Sequence, residues 1–361
     1  MDICNETPFV DGLAIGMGPD RQACLSVLVK ATFALPKPGE ETPAPAGEQW
    51  PIVAADEYFK GDITGSVEYE ADAVPFKPRA DVVLIGKAHA PGGRPVKALD
   101  AMLRVGRLRK VIRVFGDRKW IFPTRLVMVP VISEPEPFTE MPLVYERAFG
   151  GFDRKAAKWC AHNYIGKGFL GKKSKESVDG KPLPNLEDPH RLIQSWDDEP
   201  MPVGFGFYSK NTQPRAAFAG TQKGLEAPHE YFGLAADFKH DFFNGAYPDL
   251  QVSGYLNGDE EVEMVNLTPD GPHRFRLPGV RPVITLHTYV DAPEPAFAGD
   301  ADMPERATQA TALDAVLDTL VFSPEEGVFC QVWRARRSLR DIETDIENIA
   351  RIEIKSIPVR Q

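Results

Sequence analysis

With 361 residues, 43% of them hydrophobic, the chain can bury a core without help from metal or disulfides. Its formal net charge of -10 argues against nucleic-acid backbones and anionic membrane surfaces as partners. Proline makes up 33 of the 361 residues, well above the usual share of about 5%, and because proline breaks helix interiors the composition predicts short strands and many turns.

Cys4, Cys24, Cys160 and Cys330 are too far apart for any CxxC pair, so neither a zinc site nor a disulfide framework is expected. The opening Met1-Asp2-Ile3-Cys4-Asn5 has no basic region followed by an apolar one, and no apolar run reaches membrane-spanning length. The expectation is a soluble, cytoplasmic protein.

In chain order, Leu25 to Phe33 alternates, with Leu25, Val27, Val29, Ala31 and Phe33 on one side and Ser26, Lys30 and Thr32 on the other. That pattern predicts a half-buried strand. Residues 36–49, rich in Pro, Gly and Glu, predict an exposed loop. Asp81 to Gly86 is a short apolar strand candidate. Met102–Val105 and Arg109–Phe115 predict two strands around Gly106, the second with solvated basic side chains on one face. From 133 to 250 the periodicity fades and aromatics multiply among Pro and Gly, as in long functional loops. Beyond 250 strands return. Glu261–Leu267 and His273–Leu277 flank the turn Thr268-Pro269-Asp270-Gly271, Arg281–Val290 forms another strand, and Leu313–Phe322 and Val328–Ala335 flank Ser323–Gly327. Ile342, Ile346 and Ile349 keep helical spacing before a last strand at Ile352 and Ile354. The chain thus divides into an N-terminal β region (1–132), a loop-rich aromatic middle (133–250) and a C-terminal β region (251–361), which could pack as one unit. The predicted fold is mainly β, with antiparallel sheets arranged as a sandwich or as two lobes and few short helices.

Chemical motifs come close but none is complete. Gly166–Lys173 nearly fits GxxxxGK[ST], yet Lys173 stands where the phosphate loop needs a hydroxyl, so a mobile basic loop is the better reading. The seven histidines, among them the neighbouring pairs His229-Glu230 and His240-Asp241, form no metal-binding spacing. No GxSxG elbow occurs. Asp259, Glu260, Glu261 and Glu263 could supply paired carboxylates for glycoside hydrolysis, but any acidic chain yields such runs and a solvated, charged strand edge is the better reading. The chemistry favours a binding role over an enzyme, with no cofactor and no metal.

An ordered series of segments resembles one family, the domain of unknown function numbered 2169. It begins with Asn5–Phe9, Val29–Phe33, Ala55–Glu57 and Val74–Val82, and continues with Gly86–Gly93 and Val114–Arg118. The rest are Met141–Gly151, Leu183–Glu187, Leu317–Leu320 and Val332–Arg334, and Asn163–Phe169 belongs to a further family stretch. The resemblance implies a cytoplasmic adaptor or chaperone of bacterial type VI secretion. Such a protein would bind an effector, often one with a PAAR tip domain, and help load it onto the VgrG spike. The family brings no catalytic residues. For a client-binding surface the middle region offers Tyr145, Glu146, Arg147 and Phe149, with aromatics beside a possible ion pair, and a second set of Trp196, Phe205, Phe207 and Tyr208. Tyr145–Gly151 also reads as a buried turn in which Gly150-Gly151 permits positive φ and Glu146-Arg147 holds the turn internally. The rival functions are a carbohydrate-active hydrolase with paired carboxylates in a cleft, or a structural component of the secretion apparatus.

Overall fold

A computed structural model describes residues 2–37, 39–124, 129–221, 233–290 and 306–358. It is mainly β, 42% strand against 10% helix, built from several antiparallel sheets. Among the described residues no helix is long and apolar enough to cross a membrane.

The alternating segment forms the strand Ala23–Ala34, next to the edge strand of a six-stranded sheet. Its neighbours come from opposite ends of the chain. Val10–Met17 pairs on one side, and Val328–Ser338 on the other, in a register that sets Phe33 opposite Phe329. Ala315–Ser323, Ala80–Leu84 and Gln251–Val252 complete the sheet. The N-terminal and C-terminal regions therefore share one sheet. Ala80–Leu84 lies parallel to Ala315–Ser323 and is buried at every position, apolar except for Asp81, which Lys77 pairs.

A five-stranded antiparallel sheet runs in the order Leu186–Glu187, Leu108–Phe115, Ala98–Val105, Glu261–Val265, His273–Arg276. One face carries Ala101, Leu103, Ile112, Val114, Val262, Met264 and Phe275, all buried. The Phe275 ring lies 5.6 Å from Phe329, and Phe329 stacks on Phe33 at 5.5 Å, so this face packs on the six-stranded sheet. The opposite face is a charged ladder in which Arg113 meets its cross-strand partner Asp100, and Glu263 accepts from both Arg104 and Arg274. Lys110 lies opposite the predicted basic face of Arg113, on the side of Ile112 and Val114. It sits on the buried side, paired with Asp249 at 2.8 Å.

In the third sheet Asp2–Asn5 runs parallel to Ile349–Pro358, followed by Val280–Tyr289 and Thr308–Leu313. The helix before the last strand, Ile342–Glu347, starts at Asp341, whose carboxylate accepts from Thr344 N. Gly327, at φ +68, closes the turn between Ala315–Ser323 and Val328–Ser338. The predicted strands thus stand with shifted ends, the largest shift extending Met102–Val105 back to Ala98.

Candidate functional site

The polar side of Ala23–Ala34 differs from the half-buried expectation, because Ser26, Lys30 and Thr32 are all buried. A segment running from Trp50 to Arg79 covers them, and it does so through charge and hydrogen bonds. Ser26 Oγ donates to the Pro75 carbonyl at 2.6 Å, and Lys30 pairs with Asp72 at 2.7 Å. Arg334 pairs with Asp318 and donates to the Asp72 and Val74 carbonyls. Lys77 reaches Asp81 at 2.8 Å and Thr319 at 2.9 Å. A buried ion needs a partner, and each cation of this layer has one.

Beside this layer, past the C-terminal ends of the parallel strands Ala80–Leu84 and Ala315–Ser323, opens a cleft of about 850 Å³. A hairpin forms one wall, with Glu57–Tyr58 pairing with Val67–Tyr69 so that Glu57 lies opposite Tyr69. The Tyr69 ring meets Trp50 edge-on at 5.4 Å. Ile85, Pro142 and Val144 extend the apolar surface. Glu57, Glu68 and Glu326 add carboxylates. Burial raises the Glu68 carboxyl above its ordinary range, and the charges of Glu57 and Glu326 raise it further. On the other side Lys87 pairs with Glu140 at 2.7 Å, while His89 Nε2 lies 2.7 Å from a Glu325 oxygen.

Of the residues singled out from sequence, only Glu146 and Arg147 line this cleft. They do not pair with each other. The Glu146 carboxylate accepts from Ser66 N at 2.7 Å and from Ser66 Oγ, which in turn accepts from Tyr145 N. Arg147 donates to Asn185 Oδ1 at 2.9 Å and reaches Asp117 at 3.4 Å. Tyr145, Phe205, Phe207 and Tyr208 are core residues, and burial drives the Tyr145 phenol well above its ordinary range. Phe149 is buried in a second apolar cluster, against which Trp196 packs half-buried. A client on the surface would not touch the five buried rings. Tyr145–Gly151 is a buried turn, held by Ser66, Asn163 and Asn185 and not by an internal Glu146–Arg147 pair. Gly150 and Gly151 have φ of +150 and +114, and Asn163 Nδ2 donates to the Tyr145 and Phe149 carbonyls. Among the described residues the exposed aromatics of the middle region are instead Phe152 and Trp159, opposite each other on a short ribbon.

The near-phosphate loop is already occupied by a carboxylate. Asp153 accepts from the backbone N–H groups of Gly171 and Lys172 with one oxygen and of Lys155 and Ala156 with the other. Lys167 pairs with Asp117 and Lys173 with Glu199, so the segment is tied by ion pairs and is not a free basic loop. The acidic run is likewise structural. Arg274 and Arg104 hold Glu263 below the ordinary carboxylate range, and Glu260 accepts from the N–H groups of Asn257 and Gly258. No cluster of His, Cys, Asp and Glu suited to a metal occurs among the described residues, and His229 lies outside them.

Sequence reasoning missed Trp50, Glu68, Tyr69 and Glu326. The alternation of Val67, Glu68, Tyr69 and Glu70 is the only local signal for this wall.

No curated protein and no solved structure matches the chain. Residues 20–334 match the family described as an uncharacterized protein conserved in bacteria, DUF2169. That span takes in most of the six-stranded sheet, though not its edge strand Val10–Met17, together with the covering segment and the cleft, and the chain belongs to this family.

Proposed function

We propose that this protein is an adaptor that grips a polypeptide client in the cleft, serving type VI secretion by carrying an effector with a PAAR domain to the VgrG spike. The observation that carries the reading is the cleft itself. At about 850 Å³ it lies near the upper end of small-ligand sites, which run to about 1,000 Å³. Its aromatic wall suits a segment of chain held along its length by a few anchors. The link to secretion rests on the family resemblance.

The test is co-expression of the tagged protein with the effectors and spike proteins encoded beside it. The expected result is a stable complex with an effector, which then appears outside the cell while the adaptor stays within. Failure of the folded protein to retain any of these candidates would overturn the proposal, and its own export with the spike would favour a structural component. Glu68 supports a second reading, a carbohydrate-active hydrolase, because a raised carboxyl in a cleft suits a general acid. Glycoside turnover abolished by Glu68→Gln would replace the adaptor reading.

A further inference from the structure

We propose that the segment held in the cleft is cationic, with a Lys or Arg side chain of the client set against Trp50 and Tyr69 and among the carboxylates of Glu57, Glu68 and Glu326. The inference rests on the adaptor reading for the identity of the client and on the cleft alone for its chemistry.

The three carboxylates come from separate parts of the chain. Glu57 and Glu68 stand on the two strands of the hairpin, and Glu326 stands on the turn Pro324–Glu326. Among the described residues no ion pair joins any of them to a cation. Their neighbours differ. Glu325 faces Lys87 and His89, Glu146 accepts from Ser66 N and Oγ, and Lys30 is committed to Asp72. Glu57, Glu68 and Glu326 therefore gather like charges, and although Lys60 also lines the cleft it pairs with none of them, so a cation set among the three would relieve their repulsion.

Trp50 and Tyr69 add the second half of a cation site. Both are half-buried on the cleft surface, and aromatic rings attract Lys and Arg most strongly where water is partly excluded. An anionic partner, nucleic acid or acidic lipid, would meet repulsion at the same place. A lone amine would satisfy the carboxylates but leave the apolar surface of Ile85, Pro142 and Val144 bare. A polypeptide with one basic side chain and apolar neighbours fills both.

The test uses the full chain and a short acetylated, amidated peptide with one central Arg flanked by Val and Leu. Two further peptides carry citrulline or Glu in place of the Arg. Calorimetry should show the Arg peptide binding at least about tenfold more tightly than the citrulline peptide, and the Glu peptide weakest. The preference should shrink when salt rises from about 50 mM to about 500 mM, because the charges are partly exposed. It should vanish in Glu68→Gln/Glu326→Gln, with the circular dichroism and melting temperature checked to show that the variant is folded. The proposal is overturned if the Arg peptide shows no saturable binding, if Arg and citrulline bind equally, if the double variant keeps the preference, or if arginine methyl ester binds as well as the peptide. Retention of the effector by Glu57→Gln/Glu68→Gln/Glu326→Gln at wild-type strength would sink the cation rule and leave the adaptor reading standing. Failure of the wild type to retain any effector, with Arg preference intact, would do the reverse.

Discussion

Glu70→Ala should be among the most damaging single changes outside the apolar core. Arg215 is fully buried, and its guanidinium is met by both Glu70 oxygens, with Nη2 donating to Oε2 at 2.9 Å. Its remaining donors reach the carbonyls of Phe242 at 2.7 Å and Tyr208 at 2.8 Å. The substitution deletes two charge-assisted hydrogen bonds and leaves a buried cation without its direct counter-ion. Breaking such a pair costs about 3–5 kcal/mol, a large share of a total stability of about 5–15 kcal/mol. For an m of about 3 kcal/mol/M, the urea midpoint should fall by about 1 M or more. Glu70→Leu/Arg215→Met tests the cause. It removes both charges and strands only the two carbonyls, at about 1 kcal/mol each, so it should be more stable than Glu70→Ala. Urea denaturation followed by circular dichroism measures all three proteins. A loss under about 1 kcal/mol for Glu70→Ala, or a double variant weaker than the single, would refute the view that an uncompensated charge dominates.

At Gly150 an added Cβ would lie 2.0 Å from the Asn163 carbonyl oxygen, on a backbone at φ +150. Gly150→Ala should therefore cost more than the roughly 1–3 kcal/mol of backbone strain alone. Gly92→Ala, at φ +61 but in open space, should cost only about 1 kcal/mol, and comparison of the two melting temperatures checks the contrast. Glu68 has its folded pKa raised above the unfolded value of 4.5, so the folded state holds its proton more tightly. Its contribution is therefore most favourable below that pH and is lost as pH rises through the folded pKa. Glu68→Gln should be the more stable protein at neutral pH, and the difference should close on acidification below 4.5, as read from urea midpoints across the range.

Much of the strand layout was legible because alternation and turn chemistry are local signals. Leu25–Phe33, the hairpin around Pro269-Asp270-Gly271 and the return at Pro324–Gly327 all carry their geometry in a few neighbouring residues. The family segments were legible as well, but their role was not. Glu146, Arg147, Asp117 and Asn185 look like a polar surface when read singly. In the fold Asn185 donates to the Phe115 carbonyl and to Asp117, Arg147 reaches Asn185, and Arg118 pairs with Glu187 out of water. These are devices for closing irregular backbone, since buried polar groups must find partners. The aromatics of the middle region misled for the same reason. Phe205, Phe207 and Tyr208 show no period, which resembles a loop surface, yet they are core residues.

What the sequence by itself determined is the class of the chain: β-rich, turn-dense, acidic, and with strands whose apolar faces must be covered. Which face is covered by what was decided only by tertiary structure. Lys30 became a buried ion because Asp72, 42 residues away, crosses over it. The cleft exists because the parallel pairing of Ala80–Leu84 with Ala315–Ser323 brings Glu326 to the hairpin that carries Glu57 and Glu68. A two-residue period reports only which side of a strand is apolar, whereas a site assembled from the segments around residues 50, 68 and 326 depends on long-range pairing, which no local pattern encodes.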